Sequence, residues 1–469
     1  MNILQVEDDK DWFERTVKPL LIGIGANNIY HEQTYDCAIQ LLNTHDIDYI
    51  VLDLAIPLNL ENPVPDVSIG LRLASHVREN YAGTPLLILT GQQTEEAVGQ
   101  FVDDQELTTF WDGTRKSLIK VKPKRLVSAA IALLSEAARE LNAIEAIEIS
   151  ETGCELSAFD KRVIRIFCKA HAAIAAKVKS LNGGLSSAKV LQVELVNTQG
   201  SAFPWTSLLK IDEKHKIDIE SNNFQSHVNK LPVGSFPNVI SEYVAGCAGI
   251  KGIFYSFAKN YEKNYFSYLL SCEESTLTIL ERLKDILSHW SQTKITQQVS
   301  IRDIRRNICP DHKLENLIEI RKQLGLDEFE RKNLSANFCI QHADLHGLNI
   351  LVSKDLQPIL IDYGDIKLAP SVLDVVTLEL SQYFHPSLKD IQAPNIELFE
   401  NWFKNDNFFA LSKLPRVAQF LRQWKSENGF LEREYIATVY SYALRQLTYK
   451  GTNVQIATKL IETAISSYK

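Results

Sequence analysis

Five polar residues stand directly after β-prone runs in the first 125 residues, and their types suit the handling of a phosphoryl group. Three of them are carboxylates, which would repel one another at one sheet edge unless a hard cation lay among them, and Mg²⁺ prefers such oxygen ligands. A lysine and a hydroxyl at the same edge are what an incoming phosphoryl group needs. Glu7 and Asp8 follow the run Asn2–Val6, Asp53 follows Ile47–Leu52, Thr90 follows Pro85–Leu89 and Lys122 follows Ser117–Val121.

A second set of polar residues lies in the stretch QHADLHGLNILVSKDLQPILIDYGD. Two apolar runs joined by the polar turn Ser353–Gln357 predict a hairpin, which places Asn349 and Asp362 side by side at its open ends. An amide and a carboxylate there can share a divalent cation, and Asp344, five residues upstream of Asn349 in a loop braced by His342, can meet a hydroxyl. Phosphoryl transfer asks for little more than such a metal and such a base.

The elements that must position the first set are alternating β-prone and helical runs, with a weaker β run near Ile29–His31. This alternation predicts a parallel sheet covered by helices on both faces, whose strands present their carboxyl ends at one edge. A last helix from Lys124 to about Leu141 closes the domain and runs towards an acidic stretch, Glu145–Glu155, where we place the boundary.

The second half predicts a small antiparallel sheet with one helix, followed from Phe266 by mostly helical sequence. We therefore divide the chain into an α/β domain at 1–142, a linker at 143–157, a small lobe at 158–258 and a helical large lobe at 259–469.

Composition excludes several classes of protein. A formal charge of −8 and a pI near 5.8 leave no basic field for nucleic acid or an anionic membrane. The first residues do not form a signal peptide, and no apolar run approaches the roughly 20 residues of a membrane span. The seven cysteines are scattered and never paired as CxxC, which favours reduced thiols in a cytoplasmic protein.

Residues 1–140 resemble the receiver domain of response regulators. The segments ILQVEDD, VLDLAIP, LLILTG and VKP match, in order, its acidic pair, its phosphoacceptor, its Ser/Thr position and its Lys-Pro. The resemblance implies that Asp53 attacks a phosphodonor, that Glu7, Asp8 and Asp53 hold Mg²⁺, and that Thr90 and Lys122 bind the phosphoryl oxygens. The chain departs from this family in a longer loop with three prolines after Asp53, and in Ile119, where an aromatic switch residue is usual.

The second half resembles the aminoglycoside phosphotransferase and choline kinase branch of the protein-kinase-like fold. His342, Asp344 and Asn349 match its HxDxxxxN loop, and Asp362 matches the metal-binding aspartate. The resemblance implies that Asp344 is the catalytic base with His342 beside it, that Asn349 and Asp362 are Mg²⁺ ligands, and that Asp374 in LAPSVLDVV buttresses the loop.

The same resemblance implies where ATP would be bound. The turn LNGGLSSAKV would cover the phosphates through Gly183, Gly184 and Ser186, while Lys210 would pair with them and Glu220 would be the helix partner of Lys210. A plain hairpin turn and a surface lysine explain these same residues without any function.

The combined expectation is an α/β doubly wound, parallel five-stranded receiver domain followed by an α+β, two-lobed, protein-kinase-like domain. It would be a two-component signalling protein whose receiver regulates an ATP- and Mg²⁺-dependent phosphotransferase. Its partners would be a sensor histidine kinase or small phosphodonor, ATP, and a phosphoacceptor, which we expect to be a small hydroxylated or aminated molecule rather than a protein. Two alternatives stay open: a catalytically silent nucleotide-sensing or protein-binding module, and a reversed direction in which the kinase-like half is the sensor.

Overall fold

The computed structural model describes residues 1–91, 107–181, 188–257, 261, 263–388, 395–427 and 429–468. The chain divides into two compact units. Unit 1 comprises Met1–Asp218 and Asn238–Ala258, and unit 2 comprises Ile219–Pro237 and Lys259–Lys469. Within the described ranges, no helix is both long and apolar enough to cross a membrane.

Unit 1 begins with a five-stranded parallel sheet of order β2-β1-β3-β4-β7. Its strands are β1 Asn2–Val6, β2 Asn28–Glu32, β3 Tyr49–Leu52, β4 Leu86–Thr90 and β7 Ile119–Pro123, with the short hairpin of β5 Thr108–Thr109 and β6 Arg115–Lys116 before the last. The predicted parallel sheet is confirmed. Strands β3 and β4 are buried along their whole length, as expected for parallel strands covered on both faces.

Helices cover both faces of this sheet. One core places Leu73 and Val77 with Ile50 of β3, and the other places Leu134 with Val51, since successive strand residues point to opposite faces. The helical elements are α1 Lys10–Trp12, a π-helical turn Phe13–Val17, α2 Lys18–Gly23, α3 Tyr35–Leu42, α4 Val67–Asn80, a 3₁₀ turn Lys124–Leu126 and α5 Val127–Glu145.

A six-stranded sheet of order β12-β13-β11-β10-β9-β8 forms the rest of unit 1. Its strands are β8 Glu148–Thr152, β9 Ala175–Ser180, β10 Lys189–Val196, β11 Thr206–Glu213, β12 Val239–Tyr243 and β13 Ile250–Phe257. Helix α6, Ala158–Ala170, begins with a capping box in which Ser157 and Asp160 exchange hydrogen bonds. Helix α7, Lys214–Ser226, follows β11 and belongs to unit 1 up to Asp218 and to unit 2 from Ile219.

The predicted linker at 143–157 is wrong as a separate segment. Helix α5 runs through Glu145, and β8 pairs in parallel with β9, so that this stretch belongs to the six-stranded sheet. Two of the acidic residues that suggested a linker lie in β8, Glu148 at an exposed and Glu151 at a half-buried position, and the burial alternates along the strand. Since β8 is an edge strand with one solvent-exposed face, its sequence lacks the apolar run by which the other strands were recognised.

The two sheets of unit 1 are joined by the buried guanidinium of Arg162 on α6. Its Nη1 donates to Asp48 Oδ1 at 2.7 Å and to the Gly246 carbonyl at 2.8 Å, and its Nη2 donates to Glu145 at 3.0 Å. The second carboxylate oxygen of Asp48 accepts the backbone N–H of Asn2 at 2.6 Å. One apolar core also runs from the parallel sheet through α5 and α6 into the six-stranded sheet.

Backbone contacts reinforce this junction. Gly83 donates to the Ala248 carbonyl at 2.8 Å and accepts from Gly246 at 2.6 Å, while Trp111 Nε1 donates to the Ala245 carbonyl at 3.3 Å. Gly246 has a φ of +71°, and a Cβ there would lie 2.1 Å from Trp111 Nε1, so this position requires glycine. The turn between β12 and β13 is therefore fitted closely to the amino-terminal edge of the parallel sheet.

Unit 2 is mostly helical and carries two three-stranded sheets, of order β14-β17-β18 and β15-β16-β19. The strands are β14 Lys263–Asn264, β15 Ile295–Ser300, β16 Asn333–Gln341, β17 Ile350–Val352, β18 Pro358–Leu360 and β19 Lys367–Pro370. The helices are α8 Tyr265–Leu269, α9 Glu273–Ser291, α10 Ile301–Ile308, α11 Ile318–Gln323, α12 Leu326–Glu330, α13 Leu373–Phe384, α14 Ile396–Glu400, α15 Asn405–Leu411, α16 Pro415–Glu427, α17 Glu432–Gln446 and α18 Val454–Ser467, with 3₁₀ turns at Val228–Lys230, Asp311–Leu317, Gly347–Asn349 and Pro386–Leu388. The almost fully buried helices α13 and α17 form the centre of its core.

Replacing Arg162 by Met leaves the buried carboxylate of Asp48 without its cation, which costs about 3–5 kcal/mol when one partner of a buried pair is removed. We expect urea unfolding of unit 1 to shift by this amount, and native-state hydrogen exchange to show the loss equally in β3 and β13. As a matched control, Lys18→Met removes the exposed pair with Glu14, whose side chains are 41% and 43% accessible, and should leave the urea unfolding nearly unchanged. A loss confined to one of the two sheets would contradict a single cooperative unit.

Candidate functional sites

The carboxyl edge of the parallel sheet brings Glu7, Asp8 and Asp53 together. Val6 and Leu52 are partners in the β1–β3 register, so the residues that follow them leave the sheet side by side. One oxygen of each carboxylate lies within 4.8 Å of the others, and among the described residues this is the one such acidic group found. Glu7 and Asp53 are buried, whereas Asp8 is half-buried.

The cation that contacts the carboxylates at this edge is Lys124, while the phosphoryl-binding role of Lys122 stays a prediction. Lys124 Nζ lies 2.8 Å from Glu7 Oε1 and 2.8 Å from Asp53 Oδ2. Lys122 lies within β7, in register with Leu89, so its backbone belongs to the sheet. The chain turns after Pro123 into the 3₁₀ turn that begins at Lys124, which returns that side chain to the carboxylates. The lysine that precedes a proline is easily read from sequence, while the direction of the turn after it is not.

Two oxygens of the cluster keep no hydrogen-bond partner although they are buried: Glu7 Oε2 and Asp53 Oδ1. Burial, only partly offset by Lys124, raises the pKa of Glu7 to about 7, and burial likewise raises the pKa of Asp53. Two unpartnered carboxylate oxygens, from Glu7 and Asp53, beside the carboxylate of Asp8, fit a hard divalent cation such as Mg²⁺. Thr90 lies at the same edge, buried at the end of β4.

In unit 2, the buried carboxylate of Asp374 holds the loop that carries Asp344. Asp374 Oδ2 accepts the backbone N–H of His342 at 2.8 Å, and Oδ1 accepts that of Ala343 at 2.9 Å. The N–H of Asp374 in turn donates to Gln341 Oε1 at 3.0 Å. Because both oxygens are used, the loop has one geometry relative to α13.

The hairpin predicted at 349–362 is confirmed as β17 and β18, with Ile350 opposite Leu360. The N–H of Ile361 donates to the Asn349 carbonyl at 3.1 Å, so that Asn349 and Asp362 lie on adjacent strand ends. Asn349 Nδ2 donates to the backbone carbonyl of Asp344 at 2.9 Å, which leaves its Oδ1 as the atom suited to a cation.

His342, predicted to brace this loop and counted among the catalytic residues, is fully buried beside the hairpin. Its Nε2 lies 3.0 Å from the Ile361 carbonyl, which can only accept, so Nε2 carries the proton. The residues on either side of the site are in unusual conformations: Ala343 has a φ of +65° and Asp362 a φ of +67°. Residues other than glycine rarely adopt this left-handed backbone conformation. Backbone strain of this kind is common at functional sites.

The side chain of Asp344 is 31% exposed, and the side chains of Arg445 and His346 lie at its two oxygens. Arg445 Nη2 lies 3.5 Å from Oδ1, and His346 Nε2 lies 3.5 Å from Oδ2. Burial lowers the pKa of His346, whereas burial and the charges of Asp344 and Asp362 raise the pKa of Asp365. Sequence reasoning missed Arg445, because it lies on α17, far along the chain, and no local pattern marks it.

The predicted ATP-binding residues stay predictions. Lys210 lies in β11 of unit 1, opposite Ile253, and Glu220 lies buried in α7 within unit 2. Gly183, Gly184 and Ser186 lie outside the described residues.

Comparisons with known proteins give distant similarities. A thermostable mutant of the aminoglycoside phosphotransferase APH(4)-Ia, in complex with ADP and hygromycin B, is 11% identical over 62% of this chain and 93% of its own, with a TM-score of 0.39. An ethanolamine kinase of Plasmodium vivax is 11% identical over 61% of this chain and 81% of its own, with a TM-score of 0.32. NtrX from Brucella abortus is 15% identical over 36% of this chain and 40% of its own, with a TM-score of 0.21.

No protein-family description and no curated protein sequence matches the chain at a significant level.

The affinity of the Glu7–Asp8–Asp53 cluster for Mg²⁺ should depend on pH. With a pKa of about 7, Glu7 holds a proton below neutrality that must leave before the cation binds. We expect the Mg²⁺ affinity to rise about tenfold from pH 6 to pH 8 and then to level off. Calorimetric titration measures it, and Glu7→Gln should abolish this dependence. An affinity that is constant over this range in the unchanged protein would contradict the pKa assigned to Glu7.

Proposed function

We propose that unit 2 carries the catalytic centre of an ATP-dependent phosphotransferase that acts on a small hydroxylated or aminated substrate. The observation that supports this best is the cradle at Asp374, which fixes the loop of Asp344 through two backbone hydrogen bonds of 2.8 and 2.9 Å. Asn349 ties the same loop to the hairpin that ends at Asp362. The proposed base and the two proposed cation ligands would thus belong to one frame, as catalysis by positioning requires.

Each residue has a definite part in the proposed reaction. Asp344, the exposed carboxylate, accepts the proton of the substrate hydroxyl or amine as its oxygen or nitrogen bonds to the γ-phosphorus. The bond from that phosphorus to the β-γ bridging oxygen breaks, and ADP leaves with the bond's electron pair. Asn349 Oδ1 and Asp362 would hold Mg²⁺, which neutralises charge on the phosphates when it is bound. Asp374 and His342 keep the loop in place and do not touch substrate.

The segment after Asp362 favours a small substrate over a protein. Only ten residues separate Asp362 from the start of α13 at Leu373, and four of them form β19, which pairs with β16. All of these residues are described, and none forms the long segment on which an extended polypeptide could lie.

We further propose that the α/β part of unit 1 is a receiver whose Asp53 is phosphorylated by a sensor histidine kinase or a small phosphodonor. The sheet order β2-β1-β3-β4-β7 is the doubly wound order with its ligand edge at the carboxyl ends of β1 and β3. Asp53 Oδ1 is without a partner at that edge and can attack phosphorus, while Lys124 and Thr90 would receive the phosphoryl oxygens. The added charge would regulate phosphotransfer.

Labelling by radioactive acetyl phosphate tests the receiver. Asp53→Asn should abolish the label, and Lys124→Gln should reduce the yield and lifetime of the label because its ammonium group lies 2.8 Å from Asp53. Lys122→Gln is the matched control and should label like the unchanged protein, since Lys124 carries the contact. Persistent labelling of Asp53→Asn would contradict the receiver assignment. An equal loss of label in Lys124→Gln and Lys122→Gln would contradict the choice of Lys124 over Lys122.

ATP turnover in Mg²⁺ against a panel of aminated and hydroxylated substrates tests the phosphotransferase. Asp344→Ala should lower turnover by about 10²–10⁴-fold, the usual contribution of a general base, and turnover of the unchanged protein should respond to acetyl phosphate. Asp362→Ala should remove binding of Mg-ATP, as measured by calorimetry. Binding of ATP without turnover under any condition would favour a nucleotide-sensing or protein-binding module instead.

A further inference from the structure

Arg445 contacts the proposed catalytic loop through groups that Asp374 does not use. It lies in the last turn of α17, and its side chain is only 11% exposed. Nη1 donates to the backbone carbonyl of Ala343 at 3.4 Å, and Nη2 lies 3.5 Å from Asp344 Oδ1. One guanidinium therefore contacts both the backbone before Asp344 and the carboxylate itself.

The residue between these contacts, Ala343, is held from both directions. Its N–H donates to Asp374 Oδ1 at 2.9 Å, and its carbonyl accepts from Arg445. Its φ of +65° is a conformation that alanine does not adopt without support from its surroundings. The direction in which Asp344 leaves the loop thus depends on two groups, of which only Asp374 could be recognised from sequence.

We propose that Arg445 is a positioning residue for Asp344: it fixes the carboxylate and the strained peptide before it in the orientation that receives the substrate proton. This rests on the function proposed above for Asp344. A planar guanidinium is suited to the task because it can present two N–H groups to two separate acceptors, which a lysine ammonium on a flexible stem does less well.

The other contacts of Arg445 agree with a role at the loop rather than in general packing. Its Nε is buried without a partner, so part of its donor capacity is unused by the fold. The ring of Tyr442, one turn earlier on α17, lies 5.0 Å beneath the guanidinium and limits its movement. The neighbouring His346 does not replace Arg445, since this half-buried side chain lies at the other carboxylate oxygen, Asp344 Oδ2, and its Nδ1 also lacks a partner.

Steady-state kinetics of Arg445→Met and Arg445→Lys test the proposal. We expect kcat to fall about a hundredfold in Arg445→Met, as for a misplacement of about 1 Å, while the KM for Mg-ATP stays within about twofold. Arg445→Lys should recover part of kcat, because the charge returns but the paired contact does not. Arg433→Met, an exposed arginine on the same helix, is the matched control and should behave like the unchanged protein. An unchanged kcat in Arg445→Met, or a loss carried by KM alone, would overturn the proposal.

Two further measurements separate this role from others. Binding of ADP with aluminium fluoride should be equal in Arg445→Met and the unchanged protein; weaker binding would place the guanidinium on the transferred phosphoryl group and overturn a positioning role.

The Nε–H resonance of Arg445 should shift in Asp344→Asn and not in Asp355→Asn, a control in the β17–β18 turn. This shift needs no turnover, so it holds even if the phosphotransferase proposal fails, and its absence would overturn the contact itself.

Discussion

A buried carboxylate needs hydrogen-bond donors or a cation as partners, and in each unit this requirement sets the geometry of a central junction. Asp48 receives Arg162 and the N–H of Asn2, and in doing so it joins the parallel sheet to helix α6. Asp374 receives two backbone N–H groups, and in doing so it fixes the loop of Asp344 to helix α13. In each case the carboxylate connects segments that are distant in sequence, so that satisfying one buried charge also sets the geometry of a junction.

The carboxylates at the edge of the parallel sheet do not meet the constraint fully. Lys124 pairs with one oxygen of Glu7 and one of Asp53, while the other oxygen of each is buried without a partner. The raised pKa of Glu7, about 7, is the electrostatic consequence of this deficit. The contrast separates two kinds of buried acid in this chain: those whose oxygens are all satisfied have a structural role, and those that keep free oxygens beside other carboxylates have capacity left for a ligand.

The sequence predicts the strand ends and the hairpin of this arrangement, but not the contacts that depend on how distant segments pack. Strand ends could be read from apolar runs, which placed Glu7, Asp8, Asp53 and Thr90 at one edge, and the β17–β18 hairpin followed from its turn. The choice of Lys124 over Lys122 depends on the path of the chain after Pro123, and the participation of Arg445 depends on how α17 packs, neither of which has a periodic signature. The strand β8 was missed because an edge strand alternates polar and apolar residues, which in an acidic stretch reads as a linker.

The shared core of unit 1 limits how a phosphoryl group at Asp53 could act within that unit. Strand β3 is flanked by Asp48, the partner of Arg162, and by Asp53, so the proposed phosphoacceptor and the junction with the six-stranded sheet lie at opposite ends of a four-residue strand. Separating the two sheets would break a buried pair whose disruption costs about 3–5 kcal/mol, and would also expose the common apolar core. A phosphoryl group contributes about one to three charge-assisted hydrogen bonds. We do not expect these to offset both the loss of the buried Arg162–Asp48 pair and the exposure of the apolar core. Regulation through Asp53 is therefore compatible with small shifts inside an intact unit 1 and not with release of its parallel sheet.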